Sequence, residues 1–211
     1  MADQRLTKGQ ETRQRILDAA QASVLEKGFA ATSIEELIAE TGLTKSGFFY
    51  HFRDKNALAK ALLRRYIADD ERIYDEIFGQ ARSLVDDPLQ VLLVGLKLLA
   101  DLMGDMPKGH PGCLVAAACY YERLFDREVR AINAEAAMLW RARFRAMLDA
   151  VATRYRPREE VPPDELADMI STVLEGGIIM AKALQEPEAL RRQIMAFRAL
   201  LKGFFVPLPE A

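Results

Sequence analysis

Lys45 and Ser46 lie where their side chains could meet a polar partner. They follow Thr44, a residue type that favours the position before a helix, so both fall in the first turn of a predicted helix. An ammonium group can donate to guanine O6 and N7, and a hydroxyl group can donate or accept at almost any base. Gly47 has no side chain and would let this turn approach its partner closely. The pattern is typical of a helix that reads base edges in the DNA major groove.

Five residues near this helix can bond to phosphate oxygens. Ser33 and Thr44 begin predicted helices, where hydroxyl groups and free backbone N–H groups favour anions. Tyr50, His51 and Lys55 come where the helix would leave the groove and meet the phosphate backbone. The aromatic residues of the same helix are expected to pack into a core instead: Phe48, Phe49 and Phe52.

Positive charge is concentrated around this segment, although the whole chain of 211 residues has a formal net charge of −2. The first 65 residues carry a net charge of +3, and the remaining 146 carry −5. Within the first part, residues 1–15 and 44–65 are basic, and the stretch between them is acidic. A local basic surface on an acidic protein argues against a wholly basic nucleic-acid binder and favours a confined DNA footprint.

Two predicted helices position these side chains. Ser33 and Glu36 form a capping box at the start of the first helix, Gly42 supplies the turn, and Thr44 caps the second helix. Elsewhere, proline and glycine recur at about the length of a helix, and no stretch alternates with the period of two that strands need. The sequence therefore predicts an all-α fold of about nine helices.

Residues 12–58 resemble the DNA-binding domain of the TetR/AcrR family of bacterial transcriptional regulators. The resemblance implies a three-helix, helix-turn-helix DNA-binding domain over residues 1–55. It further implies a helical effector-binding and dimerisation domain over residues 56–211. One departure is Phe49, where family members often have tyrosine. The residues that carry the resemblance are Ile16, Ala19, Ala20, Gly28, Thr32, Ile38, Gly42, Leu43, Lys45, the aromatic run to Tyr50, His51, Phe52, Lys55 and Leu58.

The resemblance also implies a function. Such a protein is a homodimeric transcriptional regulator, most often a repressor, that binds a near-palindromic operator in double-stranded DNA. A small-molecule effector releases it, and no cofactor or metal is implied. Flexible and aromatic residues would suit an apolar or aromatic effector, although core packing is the alternative for each of them. The candidate effector-binding residues are Tyr66, Met103, Met106, Tyr120, Tyr121, Trp140, Phe144 and Met147.

The last two predicted helices carry apolar residues that step by threes and fours, the spacing that associating helices use. We expect these residues to form the dimer interface as a four-helix bundle. The alternative is that they pack inside one subunit. The interface residues predicted in this way are Val173, Gly177, Ala181, Ile194, Phe197 and Leu201.

Two other functions fit the same DNA-binding segment. Cys113 or Cys119 could sense oxidants or electrophiles if the thiol were exposed and had a lowered pKa. A DNA-organising protein could use the same helix pair without any ligand. An enzyme is disfavoured because the only histidines, His51 and His110, belong to no metal, phosphate-loop or triad motif. Because the sequence shows neither a signal peptide nor a membrane-spanning run, we expect a cytoplasmic protein.

Overall fold

The computed structural model describes residues 7–209, which form nine α-helices and one short β-ribbon. The prediction of an all-α fold with about nine helices is confirmed. The ribbon was not predicted, because strands of three residues are too short to show an alternating pattern. Its strands are β1 (Tyr155–Pro157) and β2 (Phe205–Pro207), which pair antiparallel. The helices are α1 (Lys8–Ala31), α2 (Ile34–Thr41), α3 (Lys45–His51), α4 (Lys55–Leu84), α5 (Pro88–Gly104), α6 (Leu114–Tyr120), α7 (Arg127–Ala152), α8 (Pro163–Leu184) and α9 (Glu188–Phe204).

The chain packs as two compact units. The first contains the described chain up to Ala68 together with Cys113–Ala134, and the second contains Asp69–Gly112 together with the chain from Glu135 onward. Helices α4 and α7 therefore contribute residues to both units. The functional boundary predicted between residues 55 and 56 remains a prediction. Within residues 7–209, no helix is both long enough and apolar enough for a membrane span.

The end of α1 is shaped by a glycine in the first unit. The φ of +83° at Gly28 breaks the helical geometry, although helical structure resumes as far as Ala31. A Cβ atom at this position would lie 2.9 Å from the ring of Tyr121. The next residue, Phe29, packs edge-to-face on Phe125 with ring centroids 4.9 Å apart. The segment after α6 therefore packs closely on the end of α1.

The seam predicted to join two subunits packs inside the second unit instead. Ile194, Phe197 and Leu201 are buried where α9 packs against α5 and α8. Ala181 is also buried, and a Cβ at Gly177 would lie 2.7 Å from a methyl carbon of a leucine on α9. We therefore correct the predicted interface, because an apolar stripe at helical spacing does not distinguish a helix of the same chain from one of a second copy. Val173 is the member of the set that stays partly exposed.

Two glycines allow a matched test of packing in the second unit. Gly95 on α5 is buried against Phe78, and a Cβ atom there would overlap the phenyl ring. We expect Gly95→Ala to lower the free energy of unfolding by about 1–3 kcal/mol, because the ring must move. Gly79→Ala on α4 is the control: no atom lies within 4 Å of its Cβ position. Since alanine favours a helix, we expect a gain of about 0.5–1 kcal/mol. Urea unfolding measures both, and a loss of the same size in both variants would contradict the packing argument.

Candidate nucleic-acid interface

Local hydrogen bonds hold the helix pair α2–α3 in place. The Ser33 hydroxyl accepts from the Glu36 N–H at 3.1 Å, and the Glu36 carboxylate accepts from the Ser33 N–H at 3.3 Å. Lys27 donates to the same carboxylate at 2.7 Å, and these bonds lower the pKa of Glu36. Gly42 ends α2 in the left-handed conformation, with φ at +65°. The predicted capping box and glycine turn are confirmed, so α3 begins at a defined position relative to α2.

The first turn of α3 presents two exposed polar side chains. Thr44 caps the helix, and its hydroxyl accepts from the Gly47 N–H at 3.1 Å. The Ser46 hydroxyl lies 3.1 Å from the Thr44 hydroxyl, while its outer side remains open to solvent. The Lys45 ammonium is exposed and has no hydrogen-bond or ion-pair partner among residues 7–209. Both side chains are therefore free to meet an external acceptor or donor.

The missing side chain of Gly47 leaves room for the Thr44 cap of α3 and also lets the helix approach a binding partner closely. A Cβ atom at this position would lie 3.2 Å from the Thr44 hydroxyl oxygen, which is tighter than ordinary van der Waals contact. A larger residue would therefore press on the group that caps α3. Only the close approach could be predicted from the sequence, because the cap contact depends on the folded geometry of the turn.

The far end of α3 separates core residues from exposed ones. Phe48 and Phe52 are buried, as expected. Phe49 is instead on the outer side of the helix, where it touches Phe48 edge-to-face at 5.6 Å between ring centroids. Tyr50 is 84% exposed, and its ring packs edge-to-face on the half-buried His51. Tyr50 and His51 therefore lie together, where a phosphate could reach the tyrosine hydroxyl.

Lys55, which the sequence predicts as a phosphate contact, also has a partner within the fold. Its ammonium donates to the Thr32 carbonyl at 2.6 Å, across 23 residues of sequence. Burial lowers the pKa of this ammonium group. Lys55 therefore ties the start of α4 to the residue that follows α1, and this bond uses one of the three N–H donors of a half-buried side chain. The Ser33 hydroxyl is likewise engaged, as the cap of α2.

Two arginines near the end of α3 were not among the residues predicted from the sequence. The Arg13 guanidinium lies over the Phe52 ring, 5.0 Å from its centroid. Arg53 directly follows Phe52, and its side chain is 79% exposed. Arg53 could have been found as part of the basic stretch 44–65. Arg13 is part of the basic stretch 1–15, but its contact with Phe52 could not be predicted, because it forms only when the two segments pack together.

The candidate effector-binding residues are distributed over both units. Tyr66, Tyr120 and Tyr121 belong to the first unit, and the other five belong to the second. Phe144 is fully buried and packs edge-to-face on Tyr74 and Phe78, as the core alternative expects. Tyr120 is 75% exposed. The remaining candidates of the second unit, Met103, Met106, Trp140 and Met147, are half-buried.

One groove in the second unit has the size of a ligand pocket. It lies between α4, α5 and α7 and has a volume of about 750 Å³. Among the predicted effector residues, Met147 lines it. Arg143 at its edge is held by Glu71 at 2.6 Å and Asp75 at 2.7 Å. The apolar lining consists of Val85, Pro88, Val91, Leu139, Ala142, Ala146, Met147 and Ala150.

Both cysteines have structural contacts in the first unit. Cys113 is half-buried at the start of α6, where its sulfur accepts from the Ala116 N–H at 3.5 Å. Cys119 is exposed, and its sulfur accepts from the Asn133 side chain at 3.0 Å. Neither is in a disulfide.

Comparison with known proteins supports the assignment of the helix pair. Residues 16–62 match the family model described as bacterial regulatory proteins, tetR family. An HTH-type transcriptional repressor of Mycobacterium tuberculosis is 27% identical over 84% of this chain and 86% of its own length. The HTH-type transcriptional regulator AcrR of Shigella flexneri is 38% identical over 44% of this chain and 41% of its own.

Solved structures share the fold over nearly the whole chain. A TetR-family regulator from Agrobacterium tumefaciens superposes with a TM-score of 0.78 at 17% identity, covering 94% of this chain and all of that one. The relatives are regulators of transcription, not enzymes. Residues 16–62 therefore form a domain of the tetR family of bacterial regulatory proteins, and the chain as a whole shares the fold of TetR-family transcriptional regulators.

Proposed function

We propose that this regulator is a homodimeric repressor that binds a near-palindromic operator and is released by a small apolar or aromatic effector. The observation that carries the DNA-binding part is the first turn of α3, where Lys45 and Ser46 are exposed directly after the Thr44 cap. The relative from M. tuberculosis is named a repressor, which favours repression over activation.

Within this proposal the residues in and around α3 have different roles. Lys45 and Ser46 bond to base edges, and Gly47 lets the turn sit close to the groove floor. Tyr50 and His51 bond to phosphates at the end of the helix. Thr44 and Ser33 act mainly as caps, since their hydroxyls already accept backbone N–H groups. Lys55 acts by fixing the start of α4 and not as a phosphate ligand.

The dimer interface proposed here is an exposed apolar stripe on α8. Its members recur at helical spacing, so they lie along one face of the helix. This face is separate from the one that α9 covers within the subunit. On α9, Leu200 is 70% exposed and adds to the apolar surface. The α8 stripe consists of Met169, Val173, Gly176, Met180 and Leu184.

Selection of bound sequences from random duplexes tests the operator proposal. A two-fold dimer places its two α3 helices in successive major grooves, about 34–36 Å apart. The enriched sequence should therefore be an inverted repeat whose half-sites are centred roughly 10–10.5 base pairs apart, or a multiple of that. Enrichment of an asymmetric sequence would contradict the symmetric dimer, and no enrichment would contradict sequence-specific binding.

The groove between α4, α5 and α7 is the effector site that we propose. Its volume of about 750 Å³ falls within the range of roughly 300–1,000 Å³ that small-molecule sites have. Eight of its twelve lining residues are apolar, and the Arg143 charge is neutralised by Glu71 and Asp75. An apolar or aromatic ligand could therefore bury its surface against Arg143 without leaving that charge unpaired.

Filling this groove should abolish the effector response. We expect a screen of small aromatic compounds to yield ligands that raise the melting temperature of the wild-type protein and weaken its binding to the selected operator. Ala146→Trp places an indole in the groove and should remove both effects. Ala137→Trp on the exposed side of the same helix is the control and should keep them. A ligand whose two effects survive Ala146→Trp binds elsewhere.

A further inference from the structure

Four of the five cations around the α1–α4 groove of the first unit fall into two groups, and the fifth, Arg64, lies 3.7 Å from the Glu128 carboxylate. This groove has a volume of about 520 Å³ and is lined by Arg13, Arg53, Lys60, Arg64 and Arg65, among others. Two of the cations are largely buried and neutralised. Arg65 bonds to Asp18 at 2.6 Å, and Lys60 bonds to Asp126 at 3.0 Å and also to Glu128. These inner cations hold the unit together and have little charge to offer an outside partner.

Arg13 and Arg53, by contrast, are exposed and weakly paired. Arg13 has no carboxylate within ion-pair distance among residues 7–209, and its guanidinium stacks on Phe52. Arg53 contacts only Asp54, the next residue, at 3.1 Å, and both side chains are largely in solvent. Exposed pairs of this kind are worth little, so the Asp54 contact leaves Arg53 available. The two arginines meet at Phe52, the residue that ends α3.

The length of α3 is close to the width of the DNA major groove. Helix α3 has seven residues and is therefore about 10 Å long. The major groove is about 12 Å wide. When Lys45 and Ser46 lie at the base edges, the end of α3 reaches the rim of the groove, where the phosphate backbone runs. Lys55, the cation expected there from sequence, is bound to the Thr32 carbonyl.

We propose that Arg13 and Arg53 together bind the DNA phosphate backbone at the end of α3, in place of Lys55. This inference rests on the proposed function and adds positioning residues to it. A guanidinium donates in a planar fork that fits phosphate oxygens, and the contact with the Phe52 ring favours one position of the Arg13 guanidinium. Because phosphates are the same in every sequence, the pair should strengthen binding to all duplexes equally and should not affect base preference.

The salt dependence of DNA binding tests this proposal. The Arg13→Gln/Arg53→Gln protein and the wild type are titrated, by fluorescence anisotropy at several KCl concentrations, onto the selected operator and onto a random duplex. Removing one arginine–phosphate bond should lower the slope of log K against log[salt] by about 0.9, so each DNA-bound subunit should lose roughly 1.8. The affinity for both duplexes should fall by the same factor. Arg13→Lys should keep most of the slope, because it retains the charge.

A matched control separates local contact from overall charge. Arg72 and Arg192 are exposed and belong to the second unit, so Arg72→Gln/Arg192→Gln removes the same number of charges elsewhere. Its slope should stay at the wild-type value, since charges beyond a Debye length of about 8 Å are screened. Thermal melts check folding, and if Arg13→Gln unfolds, the Arg53→Gln protein alone should lose roughly 0.9. An unchanged slope in the folded arginine variants, or an equal loss in the control, would overturn the proposal. If the arginine proposal fails but wild-type binding to the selected operator still depends on Lys45, the proposed function stands without the two arginine contacts.

Discussion

The Lys45→Ala/Ser46→Ala protein is expected to lose its preference for the operator while it keeps most of its binding to random DNA. Both side chains are exposed in the first turn of α3; Lys45 has no partner among residues 7–209, and the Ser46 hydroxyl contacts only the nearby Thr44 hydroxyl. Each base contact is worth about 1–3 kcal/mol. A symmetric dimer makes every contact twice, so removing the Lys45 side chain alone should cost roughly 2–6 kcal/mol, which is about 30-fold to 10⁴-fold in affinity.

Fluorescence anisotropy on the selected operator and on a scrambled duplex of equal length measures this loss. The ratio of the two affinities should fall towards one, while the affinity for the scrambled duplex changes little. Lys202→Ala, which removes an exposed lysine from α9, is the matched control and should keep the ratio. A double variant that still prefers the operator as strongly as the wild type would show that α3 does not read bases through these two residues.

Charges on the α8 stripe are expected to separate the subunits. Val173→Asp/Met180→Asp places two carboxylates in the middle of the stripe, where each would be desolvated against a second copy. The protein should be a folded monomer. Since two linked DNA-binding domains bind far more tightly than one, we expect operator affinity to fall by a factor on the order of 10²–10⁴.

Sedimentation velocity and anisotropy on the same samples test this expectation. Leu84→Asp adds a carboxylate at another exposed leucine, at the end of α4, and should leave the dimer intact. Phe197→Asp should behave differently from both, because Phe197 is buried under α5 and α8, so the subunit itself should unfold. A dimeric mass for Val173→Asp/Met180→Asp would place the interface on another surface.

The helix pair could be predicted from the sequence because its signals are local. The Ser33–Glu36 capping box, the left-handed Gly42 and the Thr44 cap each depend on residues close together in the chain. A side chain within such a segment has its direction set by the helix period alone. The exposure of Lys45 and Ser46, and the burial of Phe48, follow from the same period.

What could not be predicted depends on partners far away in sequence. Lys55 donates to the Thr32 carbonyl 23 residues earlier, and Arg13 of α1 lies over Phe52, which follows α3. No periodicity shows such pairs, since they exist only after the helices have packed. The same limit explains the correction on α9, where Phe197 is buried within its own chain, because α9 packs against α5 and α8. A stripe shows that a face is covered, but it does not show by which helix.

The base preference of the Lys45→Ala protein tests the central claim most directly. The wild type and the variant are each used to select sequences from the same pool of random duplexes, and their preferences are compared position by position. If α3 reads DNA as proposed, the variant should lose its preference at one base pair in each half-site, at symmetric positions, and keep the others. Identical preferences at every position would contradict the claim that the first turn of α3 reads the operator.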